Sequence, residues 1–432
     1  MQNSIFEGLK DKSVSLLGYG VSNRAACECL LKNGIFPTVR NEKMVNLPKG
    51  ANGIFGGDYL NAEEDVVFRS PVIRGEKISK DSRVYTEISF SLENTQAHKI
   101  GITGSDGKTT TSTLINEILK ADGKTSYLVG NIGNPLISYI DKIESNDFIV
   151  SELSSFQLFD YSPSLDVAVI TSISENHLDW HKNMAEYVLS KRNIVKNAKC
   201  VVLNYDMKYR ELFDSESTVY CSLSDLSAFI SNEKSCVYIK DGKVYFNQDE
   251  LFPVSIIKLK GEYNLLNALL SVGATYRYVK KSSIIKVLST FGGVLDRCEL
   301  VGTKNGIYFI NSSADSTPSR TKSTLSVFSK EKTVVLLGGY DKNLSYEILN
   351  EALNGVKAII LMGENREKIY KSIKNQKEKI IKVNTLYEAV SCAYREAKDG
   401  DYIILSPASA SFDMFKNYRE RAESFKSLVK EL

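Results

Sequence analysis

Seven short, nearly unbroken apolar runs punctuate the chain: VSLLG (14–18), KIGIT (99–103), FIVSEL (148–153), VAVITS (167–172), VVLLGG (334–339), AIILMG (358–363) and YIILSP (402–407). A strand with one face in water alternates apolar with polar residues, so runs of this kind demand burial on both faces. Most of them end in Gly, Ser or Asn and pass into a stretch of helical period. That succession predicts an α/β fold built on parallel sheets. The exception is about 217–259, where short alternating strands are expected and VYIKDGKVYF has a hairpin signal at Asp241-Gly242. Two helical stretches are expected at about 262–290 and a last helix from about 411, while KSIKNQKEKIIK (371–382) reads as a solvated helix face.

At about 150 residues per domain, the 432 residues suggest three domains. New βα units begin at KIGIT and at GIYFI (306–310), which sets the expected boundaries at 1–95, 96–297 and 298–432. Hydrophobic residues at 43% and charged residues at 25% are an ordinary globular balance, not that of a disordered chain. A net charge of +3 argues against a dedicated nucleic-acid or membrane-surface binder. The seven cysteines follow no zinc or CxxC spacing and are expected to be free thiols in a reducing compartment. The opening MQNSIFEGLKDK has no apolar core of a signal peptide, so a cytoplasmic monomer without membrane or nucleic-acid partners is expected.

The strongest chemical signal is GITGSDGKTTT (101–111), which follows a strand and opens a helix. Backbone N–H groups and the helix dipole favour phosphate there. Gly104 and Gly107 allow close backbone approach, Lys108 supplies a mobile cation, and the Thr109 hydroxyl suits Mg²⁺. Ile102 stands where the standard Walker motif has its first glycine, so this is a shorter GxxGKT loop. A second glycine signal, GYGVSN (18–23), starts like a dinucleotide fingerprint, but Asn23 takes the third glycine's place and Glu42 follows about twenty residues on. An NAD site and a plain turn both fit it, and a nucleotide-sugar phosphate can use the same helix N-terminus. Finally, Glu152 and His177 fall at successive strand ends, with Lys191 on the helical stretch after them. Ligands of open α/β sheets bind outside such strand ends. A carboxylate, an imidazole and a threonine hydroxyl there can hold Mg²⁺ beside a transferring phosphate. Taken singly, each is equally an exposed Glu, a satisfied His or a solvated Lys.

GITGSDGKTTT, SELSSFQL, NHLDWH, GEYNLLN, LGGYDK and SPASASFDMFKNY occur in one order along essentially the whole chain, and as a set they resemble the Mur ligases, ATP-dependent amino-acid ligases of peptidoglycan precursor synthesis. The last two are similar to the branch that adds D-glutamate to UDP-N-acetylmuramoyl-L-alanine, and the DNPR segment of the diaminopimelate- or lysine-adding relative is missing. The resemblance implies a Rossmann-like N-terminal domain for the uridine nucleotide, a central P-loop-type mononucleotide-binding domain for ATP, and a C-terminal Rossmann-like α/β domain for the amino acid. It also implies an acyl phosphate, formed from the substrate carboxylate and ATP and attacked by the incoming amine. By it, Gly104, Ser105, Asp106, Gly107, Lys108, Thr109 and Thr110 cradle ATP phosphates, with Asn264, Asn267 and Arg297 on the rest of ATP. Thr109, Glu152, His177 and a carbamylated Lys191 hold two Mg²⁺ ions, and Lys108, Glu152, His177 and Lys191 form the catalytic set. Val21, Ser22, Asn41, Asn131, Ser154 and Gln157 fall to the uridine substrate, and Ser316, Lys342, Ser411 and Phe412 to D-glutamate.

The chain departs from that pattern at Asp106, Tyr263, Asp296, Ser312, Ala314, Asn41 and Val72. The competing readings are another Mur or folylpolyglutamate-type ligase, a Rossmann oxidoreductase resting on GYGVSN, and a non-catalytic nucleotide-binding protein.

Overall fold

The computed structural model describes residues 5–75, 78–178, 180–230, 234–375 and 377–432. Asp179 of NHLDWH and Gln376 of the lysine-rich run lie outside the described residues. The described chain forms two compact bodies, one comprising the chain up to Ser174 with Asn183–Ile256 and Leu266–Ser289, the other Glu175–Lys182, Ile257–Leu265 and Thr290–Leu432.

The first body contains two sheets. Five parallel strands, in the order Asn52–Phe55, Thr38–Asn41, Val14–Leu17, Val66–Arg69 and Arg83–Tyr85, make the first. Two of its three inner strands, Val14–Leu17 and Val66–Arg69, are buried along their whole length, as the apolar run at 14–18 required. The second sheet has nine strands, in the order Asp249–Pro253, Lys243–Phe246, Lys234–Lys240, Thr218–Ser222, Asn197–Asn204, Ser164–Ile170, His98–Thr103, Phe148–Glu152 and Ser126–Gly130. The first three are antiparallel neighbours and the rest pair in parallel. The hairpin turns at Asp241 (φ 49°) and Gly242 (φ 72°), both left-handed as a type I′ turn requires.

Chain order reverses around His98–Thr103: the next strand lies two places to one side, and Ser164–Ile170 lies on the other. Such a switch point opens a crevice at the strand ends. Phe148–Glu152 is buried throughout, which leaves Glu152 at the end of a strand with no water-facing side.

The second body carries a six-stranded sheet in the order Glu299–Lys304, Ile307–Asn311, Tyr402–Leu405, Thr333–Leu337, Ala358–Leu361 and Ile380–Lys382. All but the first pair run parallel. Here too the order reverses, between Ile307–Asn311 and Thr333–Leu337, with Tyr402–Leu405 inserted between them.

Two expectations need correction. The last helix starts at Tyr418, not near 411, because Asn417 caps it: its side-chain oxygen accepts from the Arg419 and Glu420 N–H groups, both at 3.0 Å. The lysine-rich 371–382 is not a helix face, since the helix Arg366–Ser372 ends inside it and Ile380–Lys382 is a strand of the sheet. The isoleucines at 373, 380 and 381, spaced for turn and strand, outweigh the lysines around them.

Candidate active site

The phosphate loop leaves the strand His98–Thr103 and enters the helix Lys108–Ala121 through two glycines that no other residue replaces without strain. Gly104 has φ +147° and a Cβ there would fall 2.0 Å from Thr171 Oγ1; Gly107 has φ +84° and a Cβ would fall 2.4 Å from Asn267 Oδ1. The loop is stitched to the end of the neighbouring strand. Ser105 N donates to Ser172 O at 2.7 Å, Asp106 N to Ser172 Oγ at 2.9 Å, and Thr171 Oγ1 to the Asp106 carbonyl. Ser105 Oγ donates to Ser174 O at 2.9 Å. The apolar residues of VAVITS give no hint of these contacts; the sequence signal for them is the hydroxyl-rich TSIS (171–174) that ends the run. Lys108 curls back over the loop, its Nζ 2.8 Å from Gly104 O and 3.0 Å from Ser105 O. On the helix Glu262–Thr275, Asn267 is buried and accepts from Thr111 Oγ1 at 3.2 Å, tying that helix to the loop's own.

Beneath the loop lies a buried polar cage. Glu152 is 1% exposed, and its two oxygens accept from Thr109 Oγ1 and Asn131 Nδ2, each at 2.7 Å. Lys191, on the helix Met184–Arg192, is 2% exposed. Its Nζ donates to Gly104 O at 2.8 Å and Thr103 Oγ1 at 3.3 Å, neither of them charged. Burial, and then the nearby Lys108 cation, hold its ammonium well below the ordinary lysine pKa, against the pull of Glu152 and Asp106. Lys108, Thr109, Glu152 and Lys191 are therefore brought together as expected. His177 is carried by Glu175–Lys182, a segment of the second body, in a left-handed conformation (φ 56°). Asn264 and Arg297 also belong to that body.

The expected uridine residues sort into two groups. Val21 is 75% exposed as the first residue of the helix Val21–Lys32, with Ser22 beside it. Asn41 accepts from Tyr19 N at 3.1 Å, and a cleft of about 430 Å³ opens between Tyr19, Arg24, Glu28, Val45, Asn46 and Pro48. Asn23 is buried and donates to the carbonyls of Leu17, Gly18 and Phe68 at 3.2, 2.7 and 2.9 Å. An amide thus fills the place where a dinucleotide fold packs backbone against backbone, which removes the support for an oxidoreductase. Of the second group, Asn131 holds Glu152, while Ser154 and Gln157 form a reciprocal cap on the short helix Ser155–Leu158.

In the second body, Ser316, Lys342, Ser411 and Phe412 stand in the turns after Ile307–Asn311, Thr333–Leu337 and Tyr402–Leu405, adjacent strands at the reversal of chain order. The Ser411 hydroxyl is buried without a hydrogen-bond partner among the described residues, and Phe412 is 61% exposed with Tyr340 edge-on at 5.9 Å.

Residues 102–275 match the Mur ligase middle domain, and residues 296–409 match the glutamate ligase domain of the Mur ligases. The chain is 37% identical to the UDP-N-acetylmuramoylalanine–D-glutamate ligase of Ruminiclostridium cellulolyticum, over 98% of this chain and 97% of that one. The chain belongs to the Mur ligase family. The enzyme of the same name from Clostridium botulinum strain Alaska E43 is 38% identical over 99% of this Mur ligase and 98% of its own length. Two solved structures share the fold: a pseudomurein peptide ligase type C from Methanothermus fervidus (TM-score 0.63, 19% identity, 98% of this chain and 100% of that one) and the UDP-N-acetylmuramate-alanine ligase MurC from Thermotoga maritima (TM-score 0.63, 19% identity, 97% and 99%).

The structure of this Mur ligase also accounts for two of its departures from the family pattern. Asp296, buried and left-handed (φ 62°), accepts from Asn311 Nδ2 at 2.9 Å and from Lys426 Nζ at 3.2 Å. Ser312 Oγ accepts from Cys298 N at 3.1 Å. Asp296 thus ties the segment that carries Arg297 to two side chains, and Ser312 holds its backbone at Cys298.

Proposed function

We propose that this chain joins D-glutamate to UDP-N-acetylmuramoyl-L-alanine at the expense of ATP, a step of cytoplasmic peptidoglycan precursor synthesis. The observation that carries the reading is the buried Thr109–Glu152–Lys191 cage under a phosphate loop, in a chain 37% identical end to end to ligases of that name. The substrate carboxylate oxygen attacks the terminal phosphorus of ATP, ADP leaves, and an acyl phosphate forms. The amine of D-glutamate then attacks the acyl carbon, phosphate leaves with the bonding pair, and the amide nitrogen gives up its proton to solvent.

The chain's own groups act by binding and orienting. The N–H groups at the head of Lys108–Ala121 and the Lys108 ammonium hold phosphate oxygens. The oxygen donors of the cage suit a hard cation such as Mg²⁺, and Thr109 and Glu152 would hold it. Magnesium supplies neutralisation of charge on the phosphoryl group in flight. Lys191 is read as a carbamate: burial favours its neutral amine, the form that adds CO₂, and the product is an anion able to serve a second ion. Ser316, Lys342, Ser411 and Phe412 are read as the amino-acid site, a cation and hydroxyls being apt partners for a carboxylate. Three ligand-binding domains, 1–95, 96–297 and 298–432, accord with sheets spanning 14–85, 98–253 and 299–405. Among the described residues no helix is long and apolar enough to cross a membrane.

Product analysis tests the reading. With ATP, Mg²⁺ and UDP-N-acetylmuramoyl-L-alanine, mass spectrometry should show one glutamyl residue gained from D-glutamate and none from L-glutamate. Equal addition of both, or of neither, overturns it.

A further inference from the structure

Arg421 lies on the helix Tyr418–Glu431 and is fully buried. Among the described residues its guanidinium reaches no carboxylate at hydrogen-bond distance; it donates to Ser313 O at 2.8 Å, Ser313 Oγ at 3.0 Å, Ser409 O at 3.1 Å and Ala410 O at 3.2 Å. Ser313 stands in the turn after Ile307–Asn311, and Ser409 and Ala410 in the turn after Tyr402–Leu405. Ala410 O also accepts from Tyr340 N at 2.9 Å, which draws in the turn after Thr333–Leu337. One planar fork thus ties the turns that carry Ser316 and Ser411 directly, and the turn that carries Lys342 through the shared Ala410 carbonyl.

Burying a cation against neutral carbonyls is costly, and well-packed apolar side chains give cohesion as well or better. Burial lowers the Arg421 pKa to about 10, which keeps it charged, with Asp413 and Asp315 favouring the cation. Two further observations set these turns apart from ordinary connections. The Ser411 hydroxyl, next in chain to Ala410, is buried and unpartnered, a cost that a ligand oxygen or amine removes. Ala408 is held left-handed (φ 56°) in the same turn, a strained state that persists only where surrounding contacts impose it.

We propose that Arg421 is a positioning residue for the amino-acid pocket: its fork sets the spacing of the three strand-end turns, so that Ser411 and Lys342 meet the carboxylate of the incoming dicarboxylic amino acid. This rests on the reading above that these turns receive D-glutamate. A lysine keeps the charge but has a single nitrogen and cannot make the four bonds of this fork.

Steady-state kinetics of the full-length chain test it. Arg421→Lys should raise KM for D-glutamate at least about tenfold, with kcat and the KM values for ATP and the uridine nucleotide changed less than about threefold. Ser313→Ala removes the Nε–Oγ bond and the bond that Ser313 Oγ donates to Tyr418 O at 2.8 Å, keeps the guanidinium in place through its three carbonyl partners, and should raise the same KM by about threefold. An unchanged KM for D-glutamate in both variants overturns the role, and so does an equal rise in all three KM values, the mark of a merely structural residue. ADP release by the unmutated chain that ignores D-glutamate would instead overturn the reading of the pocket itself.

Discussion

Glu87 is a carboxyl group buried where the helix Glu87–Glu93 packs on Leu136–Lys142, and its replacement has a sign and size that can be worked out. It is the first residue of the helix Glu87–Glu93 and is 3% exposed. Its Oε1 accepts from Ile137 N at 2.8 Å and from Ser91 Oγ at 3.3 Å. The Cys29 thiol is close by. Burial outweighs the hydrogen bonds and raises the carboxyl pKa from 4.5 to about 7. The folded chain therefore holds a proton that the unfolded chain releases between those values. Stability from this group is complete below pH 4.5 and is lost as pH rises towards 7. At about 1.4 kcal/mol per pH unit the loss is about 3 kcal/mol. Glu87→Gln imitates the protonated acid and is free of that loss. Thermal unfolding of the variant should match wild type at pH 4 and exceed it by roughly 6 °C at pH 8, at about 2 °C per kcal/mol for a body of this size. A difference that is the same at both pH values, or a variant less stable at pH 8, would refute the reasoning.

Three further outcomes follow from the site and its supports. Gly104→Ala places a Cβ 2.0 Å from Thr171 Oγ1 at a φ of +147°, so calorimetry should show ADP affinity reduced about a hundredfold or more; affinity within threefold of wild type would contradict the loop's role. Lys191→Ala should abolish ADP release, with part of the rate restored by a short carboxylate such as acetate, and full activity without it would remove the carbamate from the account. Arg69 is 1% exposed, donates to Pro71 O and Ile73 O at 3.0 and 2.9 Å, and pairs with Asp160. Arg69→Met should leave the half-exposed Asp160 and two carbonyls unserved and lower stability by about 2–3 kcal/mol, read from denaturant unfolding; no change would show the pair to be incidental.

What was legible in the sequence was legible because burial on both faces leaves a mark in local composition. Runs such as VVLLGG and YIILSP became central strands, and GITGSDGKTTT placed its loop because two glycines and a lysine at fixed offsets suit one conformation. Long-range pairings left no such mark. Nothing near residue 171 shows that Thr171 and Ser172 bind the loop at 106, and nothing near residue 131 shows that Asn131 holds Glu152. Arg421 reads as one more charge in YRERAESF, though its guanidinium bonds the turns at Ser313 and at Ser409–Ala410. The lysine-rich 371–382 misled for a related reason: long lysine stems give the composition of a solvated helix to a segment whose isoleucines fill a sheet edge.

ADP release is the most direct test of the central claim, measured with purified chain, ATP and Mg²⁺ while each substrate is omitted in turn. The account predicts release only when UDP-N-acetylmuramoyl-L-alanine and D-glutamate are both present, with L-glutamate unable to substitute. Release that persists unchanged without D-glutamate would contradict it.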